Sequence, residues 1–336
     1  RFCCVAFSLS LNSKQMGLYL APAVFCYLLG GCFAPRTAAA RGRAFLSLAA
    51  TTTATFAACW APFLTDVDVF VGVLRRIFPT SRSLYEDKVA NVWCTLALLP
   101  GLKLKQLLPV SALLRLALST TALLLLPPCI LLLRRPSRVG LLLALFSGAQ
   151  AFFLASFQVH EKHILLPLLP ALLLAPASPL LYAWYAAAAA FSMFPLLLRD
   201  GQRLPYALLQ CAALAVAAAH ARGAEHSPSA PDAGTASATD AAGATFSVFG
   251  KSQTALQNYI MVASLSGMAF LHTAEVFVSP PARYPDLHAV AFSAYACAHF
   301  VLAYVASVLL QWRLRHSEPA CTPFTSDRLQ SSMFEQ

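Results

Sequence analysis

The chain has 336 residues, 58% of them hydrophobic and only 11% charged, with a mean hydropathy of +0.64. Soluble globular proteins carry about 25% charged residues, so lipid rather than water is the main solvent of this chain. The formal charge of +10 would suit nucleic acid, but no soluble domain carries a basic and aromatic patch, and membrane lipids and phosphate groups are the expected partners.

In chain order, Arg1 is followed at once by the apolar run FCCVAFSLSL. A signal peptide has such parts, but another apolar segment follows after only NSKQM and no small-residue cleavage site stands out. Residues 1–11 therefore read as the tail of a further span, in a chain cut inside a membrane protein. Continuous runs rich in Leu and Ala then place spans at about 17–33, 44–64, 107–133, 139–157, 160–175, 179–198, 204–220, 254–278 and 287–311. Helices are expected, because each backbone group in lipid must be satisfied within its own segment. The alternating pattern of a membrane barrel is missing. The expectation is an all-α polytopic membrane protein with about nine spans plus a partial first one.

Residues 164–198 carry no charged side chain. One helix of that length would run about 52 Å, too long for a single crossing. The sequence APASP at 175–179 supplies the break, and the piece before it, with Pro167 and Pro170, reads as kinked or re-entrant. Residues 221–247 lack large apolar side chains and cannot offset the entropy of ordering. The expected organisation is a bundle over 1–220 with loops at 65–106 and 158–163, a disordered cytosolic loop at 221–253, two helices over 254–311 and a cytosolic tail at 312–336. The ten cysteines are scattered, mostly inside apolar runs, with no C-x-x-C pair, and read as small buried hydrophobes.

Alternation of spans sorts the loops onto two faces. Lys and Arg total 11 on each, so the raw count decides nothing. Short loops weigh most in the positive-inside rule. APRTAAARGR and RRPSR are dense in Arg, and their face is assigned to the cytosol. The loops at 12–16, 65–106, 158–163, 199–203 and 279–286 then share the opposite face.

Two stretches on that second face concentrate ionisable groups. QVHEKH places His160, Glu161, Lys162 and His163 between apolar segments. Its histidines stand at i and i+3 rather than the i and i+4 of a zinc helix, with no third ligand, so no metal is expected. Anchoring at headgroup depth is one reading. The other is an anion site in which His160 and Lys162 meet a phosphate and Glu161 orients one of them. RRIFPTSRSLYEDKVANVWC adds Arg82, Glu86, Asp87 and Lys88, with aromatic residues of an interfacial helix. A connector of this length tends to be functional.

NSKQMGLYLAP, RIFPTSRSLYEDKVANVWC, FQVHEKHILLPLLPALL, FSMFPLLLRDG and RYPDLHAVAFSAYACAHFVLAY occur in this order. The chain thereby resembles the endoplasmic-reticulum dolichyl-phosphate-glucose α-1,3-glucosyltransferases over nearly its whole length apart from 221–247. LYEDKVANVWC resembles the branch that adds the first glucose to the high-mannose lipid-linked glycan. The resemblance implies a multi-pass GT-C helical bundle of the endoplasmic reticulum membrane, its active side lumenal. It implies dolichyl-phosphate-glucose as donor, a dolichol-pyrophosphate-linked oligosaccharide as acceptor, inversion at the transferred glucose, and no metal or other cofactor. Carried over by motif, His160 meets the donor phosphate, Lys162 adds charge, Glu161 orients, and Arg82, Glu86, Asp87 and Lys88 belong to the substrate-binding loop. In the family the base is an Asp of the first lumenal loop. No acid here matches it, so the catalytic base is unassigned and the chain alone is expected not to transfer glucose. A multi-span transporter and a catalytically inactive membrane subunit are the competing classes. Both enzyme and anion site require Lys162 and Lys88 at one lip of the bundle.

Overall fold

The computed structural model describes residues 1–35, 37–77, 88–98, 104–175, 178–225 and 251–314. The described residues form helices and turns, with no strand among them. In order these are α1 (Phe2–Ser13), a 3-10 turn (Gln15–Tyr19), α2 (Ala21–Phe33), α3 (Ala38–Trp60), α4 (Val67–Ile77), α5 (Val92–Leu96) and α6 (Leu104–Leu107). They continue as α7 (Val110–Arg134), α8 (Arg138–Ala155), a 3-10 turn (Glu161–Ile164), α9 (Leu165–Leu174), α10 (Pro179–Ser192), α11 (Phe194–Arg199), α12 (Arg203–Glu225), α13 (Lys251–Phe277) and α14 (Leu287–Leu314).

Helix starts follow the local chemistry. Thr37, Asn91 and Ser137 each accept a bond from the backbone N–H three residues on, at 3.3, 2.8 and 3.0 Å, and so cap α3, α5 and α8. Five segments are long and apolar enough to cross a membrane: Ala38–Phe63, Val110–Arg134, Arg138–Ala155, Asn258–Phe277 and Leu287–Leu314. Most of the remaining expected spans fall on shorter helices, and 204–220 falls on α12. The charge-free stretch 164–198 is divided into α9, α10 and α11, and the ten residues of α9 reach only about 15 Å. Ala-rich sequence carries α12 on to Glu225, and α14 runs to Leu314, both beyond the ends read from hydropathy. The expectations for 226–250 and for the tail from 315 lie outside the described residues.

α8 is the centre of the bundle. In its span 61% of residues are buried, against 6% for Ala38–Phe63 and 11% for Asn258–Phe277, which lie at the periphery of the described bundle. The main core joins Phe153 and Leu154 of α8, Phe191 of α10, and Phe292 and Phe300 of α14. Ala149, Ala151, Ala188, Ala189 and Ala296 are fully buried between these helices. Small side chains let membrane helices approach closely. Polar side chains add specific ties: Trp184 donates to Ser264 Oγ at 2.8 Å, and Tyr185 donates to Gln150 Oε1.

α7 contains Pro127 and Pro128. Pro128 has no N–H to offer the carbonyl of Leu124. Tyr304 of α14 supplies a hydroxyl to that carbonyl at 2.5 Å, and Gln311 donates to the Pro128 carbonyl at 3.0 Å. The break in α7 is thus repaired by α14. Gly30 of α2 lies so close to α7 that a Cβ there would stand 2.8 Å from the Leu133 carbonyl oxygen. These contacts fix one end of the bundle.

The other end is tied by a separate set of bonds. Trp60 donates to Asn12 Oδ1 at 2.7 Å, joining the ends of α3 and α1. Trp93 donates to the Ala155 carbonyl at 2.8 Å, and Ser293 donates to the Lys88 carbonyl. Residues 14–19, 88–96, 156–164, 199–203 and 278–286 therefore gather at one lip, where the candidate site lies.

Candidate anion site at the lip of the bundle

α8 ends at Ala155, and the chain turns through Gln158, a non-glycine residue at φ 61°. That left-handed conformation is costly for a side chain with a Cβ. It redirects the backbone so that His160 begins the 3-10 turn Glu161–Ile164. Ile164 and Val159 are buried in the main core and anchor the turn on both sides.

The two histidines lock one another. The His160 ring accepts from the His163 backbone N–H, while His163 Nδ1 accepts from the His160 backbone N–H at 3.3 Å. Tyr19 brings its hydroxyl to the same Nδ1 at 3.2 Å. Tyr19 is itself stacked on Phe152 of α8, with ring centroids 4.8 Å apart. An Nδ1 that accepts carries no proton, so the His163 ring is neutral with its hydrogen on Nε2. Burial, helped by the charges of His160, Lys162 and Lys14, lowers the His163 pKa to about 4. His163 is thus a neutral strut, and His160 is the ring it positions.

The sequence reading had Glu161 orient either His160 or Lys162. In the structure His163 makes the contacts that orient His160, and Glu161 has no hydrogen bond or ion pair among the described residues. Glu161 is carried forward only as a neighbour of the site. Lys162 is exposed at the same turn.

Two contributors were missed. Tyr19 and Lys14 sit on the turn between α1 and α2, 144 residues before His163 in the case of Tyr19. They lie within NSKQMGLYLAP, so a signal existed: a Lys and a Tyr in a short loop on the same face as HEKH. Among the described residues neither Lys14 nor Lys162 has a carboxylate within ion-pairing distance. The near side of the lip therefore carries an excess of positive charge.

The far side is different. Lys88 pairs with Asp286, and Arg203 grips Glu275 with both carboxylate oxygens at 2.7 and 3.0 Å. Tyr206 bonds to His272 Nε2 at 2.9 Å, and the His272 ring packs against Phe191, Phe194 and Phe292. Lys88, expected to bind substrate, is already engaged by Asp286 and joins the 88–96 segment to the start of α14. Val89, Ala90, Asn91 and Trp93 of the same motif are buried and structural. Arg82, Glu86 and Asp87 lie outside the described residues. The structure thus brings His160, Lys162 and Lys88 to one end of the bundle and adds Lys14 and Tyr19. Chemically, the near side can hold an anion that needs a positioned ring donor and ammonium groups.

Comparison with known proteins gives the chain a family. The model of the ALG6, ALG8 glycosyltransferase family matches residues 1–306. A dolichyl pyrophosphate Man9GlcNAc2 alpha-1,3-glucosyltransferase of Gallus gallus is 41% identical over 313 residues, covering 93% of this chain and 61% of the relative. The Rattus norvegicus protein of that name is 36% identical, covering 92% and 60%. A probable dolichyl pyrophosphate Man9GlcNAc2 alpha-1,3-glucosyltransferase of Arabidopsis thaliana is 34% identical, covering 93% and 55%. The chain spans about three fifths of the length of these relatives.

Proposed function

Since the chain belongs to the ALG6, ALG8 glycosyltransferase family, we propose that it works in transfer of glucose from dolichyl-phosphate-glucose to the Man9GlcNAc2 lipid-linked oligosaccharide. The reaction forms an α-1,3 linkage with inversion, in the endoplasmic reticulum membrane, at a lip that faces the lumen. The acceptor hydroxyl attacks glucose C1. The bond from C1 to the phosphate oxygen breaks with its electron pair leaving on the dolichyl phosphate, and the hydroxyl proton passes to a carboxylate base.

The observation that carries this reading is the locked His160 turn beside Lys162 and Lys14. As the bond to phosphate breaks, negative charge grows on the leaving group, and fixed donors stabilise it most when they need no rearrangement. His160 is held by both the His163 backbone and the core beneath it, so its donor face is set before substrate arrives. The ammonium groups add attraction from the same side. On the far side Glu275 and Asp286 are each occupied by a cation, and neither is assigned as base.

His160→Ala tests the assignment. In the full-length protein, measured in microsomes that lack their own activity, it should lower glucose transfer about 100-fold, the scale of losing one preorganised donor. Expression and membrane insertion should be unchanged. Normal turnover in that variant removes His160 from the mechanism. Binding of dolichyl phosphate to the chain in nanodiscs gives a second readout that needs no catalysis.

A further inference from the structure

A second feature of the bundle belongs to neither the lip nor the transfer reaction. A groove of about 430 Å³ runs between the helices in the half of the bundle away from His160. Its walls include Leu143 and Phe146 of α8, Leu174 of α9, Ile260 of α13, and Leu302 and Leu309 of α14. Leu302 and Leu309 are 41% and 50% exposed, so the groove opens sideways onto the lipid-facing surface of α14.

The lining excludes polar ligands. Three of its polar side chains are turned onto protein partners: Trp184 Nε1 to Ser264, Tyr185 hydroxyl to Gln150, and Ser307 hydroxyl to the Tyr304 carbonyl at 2.8 Å. A sugar or peptide placed there would lose its hydrogen bonds to water and find few in return. A hydrocarbon chain loses nothing. One charged side chain, Arg313, stands among the described lining residues, in the last turn of α14. Trp312 beside it is half-exposed, as anchors at a membrane interface are. Arg134, Arg135 and Arg138 crowd the α7–α8 turn at the same end. Basic pockets between membrane helices hold anionic headgroups.

We propose that this groove binds one acyl chain of an anionic glycerophospholipid from the leaflet at that end, with its phosphate held at Arg313. The lipid would wedge α13 and α14 against α8 and α10, filling space that the side chains leave open. Its head lies at the membrane face opposite the anion site, since α14 runs about 37 Å from His288 to Arg313. The groove is therefore distinct from the donor-phosphate site, and the two can be occupied together.

Native mass spectrometry of the chain released from nanodiscs tests the proposal. The discs hold equal parts of phosphatidylcholine and phosphatidylinositol with matched acyl chains. The wild type should retain the anionic lipid about fivefold over phosphatidylcholine, the scale of one basic residue at a membrane surface. Arg313→Ala should abolish that preference, Arg313→Lys should keep it, and Ala306→Phe, which fills the groove, should remove the retained lipid altogether. Folding of each variant is checked by its helical circular dichroism. If Arg313→Ala does not fold, the Arg313→Lys and Ala306→Phe pair carries the test. Equal retention of both lipids by the wild type overturns the proposal. So does a preference that survives Ala306→Phe. Displacement of the retained lipid by dolichyl phosphate would give the groove to the substrate's tail instead, and overturns it too.

Discussion

The two sides of the lip are built from the same kinds of residue and use them in opposite ways. On the far side two acids face cations: Lys88 meets Asp286, and Arg203 meets Glu275. On the near side Lys14 and Lys162 flank two histidines, and no described carboxylate pairs with them. The far side ties loops to helices. The near side holds its rings by hydrogen bonds and leaves its charge uncompensated. Ammonium groups unpaired among the described residues, beside a locked turn, are the features on which the proposed anion site rests.

Among the lysines of the lip, the largest effect should come from removing that excess charge. Lys162→Ala should weaken dolichyl phosphate binding to the chain in nanodiscs about tenfold, the scale of a charge-assisted hydrogen bond. Lys14→Ala should act in the same direction with a smaller effect, since it contributes field rather than a positioned donor. Added salt should weaken wild-type binding more than binding by the double variant, because less charge then remains to be screened. Titration at two ionic strengths measures both effects. Equal salt dependence in wild type and double variant would show that the near-side lysines do not meet the anion.

A smaller effect should follow pH. The folded His163 pKa is about 4, below the ordinary value of 6.5. The unfolded chain therefore binds more protons than the folded one between these values, and stability falls as pH drops through that window. Above about pH 6.5 this contribution is fully present. His163→Gln keeps an acceptor for the His160 N–H and removes the titration. Its Tm should change less between pH 7 and pH 5 than that of the wild type. Identical pH dependence in the two would mean that His163 is not held neutral by its surroundings.

Much of the bundle was legible in the sequence because hydropathy and length act locally. Continuous apolar runs gave helices, and APASP divided the charge-free stretch where α9 gives way to α10. His160, Lys162 and Lys88, read onto one face by alternation of spans, fall at one end of the bundle. The missing information was of a different kind. Whether Lys88 is a ligand or a tie depends on Asp286, about 200 residues away, and no periodicity reports such a pair. Tyr19 reaches His163 only because α2 packs against α8, a tertiary choice. Within HEKH, spacing could not say which neighbour orients His160. A 3-10 turn brings the residue three positions on to the cap, and so it is His163 that bonds to His160. The shortness of α9 was partly legible, because Pro167, Pro170 and the APASP break already marked that piece as kinked or re-entrant.

The smallest expected effect is the sharpest check on the contrast between the two sides. Lys88→Met keeps the length of the stem and removes the charge that faces Asp286. The pair is exposed, with side chains 38% and 63% accessible, and exposed ion pairs contribute about 0–1 kcal/mol. The Lys88 carbonyl would still accept from Ser293, so the backbone tie to α14 persists. The variant should lose at most a degree or two of Tm and bind dolichyl phosphate as the wild type does. A drop in affinity comparable to that of Lys162→Ala would mean that Asp286 releases Lys88 when the anion arrives. The far side would then be a reserve of charge for the same ligand, and the division of the lip into a structural half and a binding half would not hold.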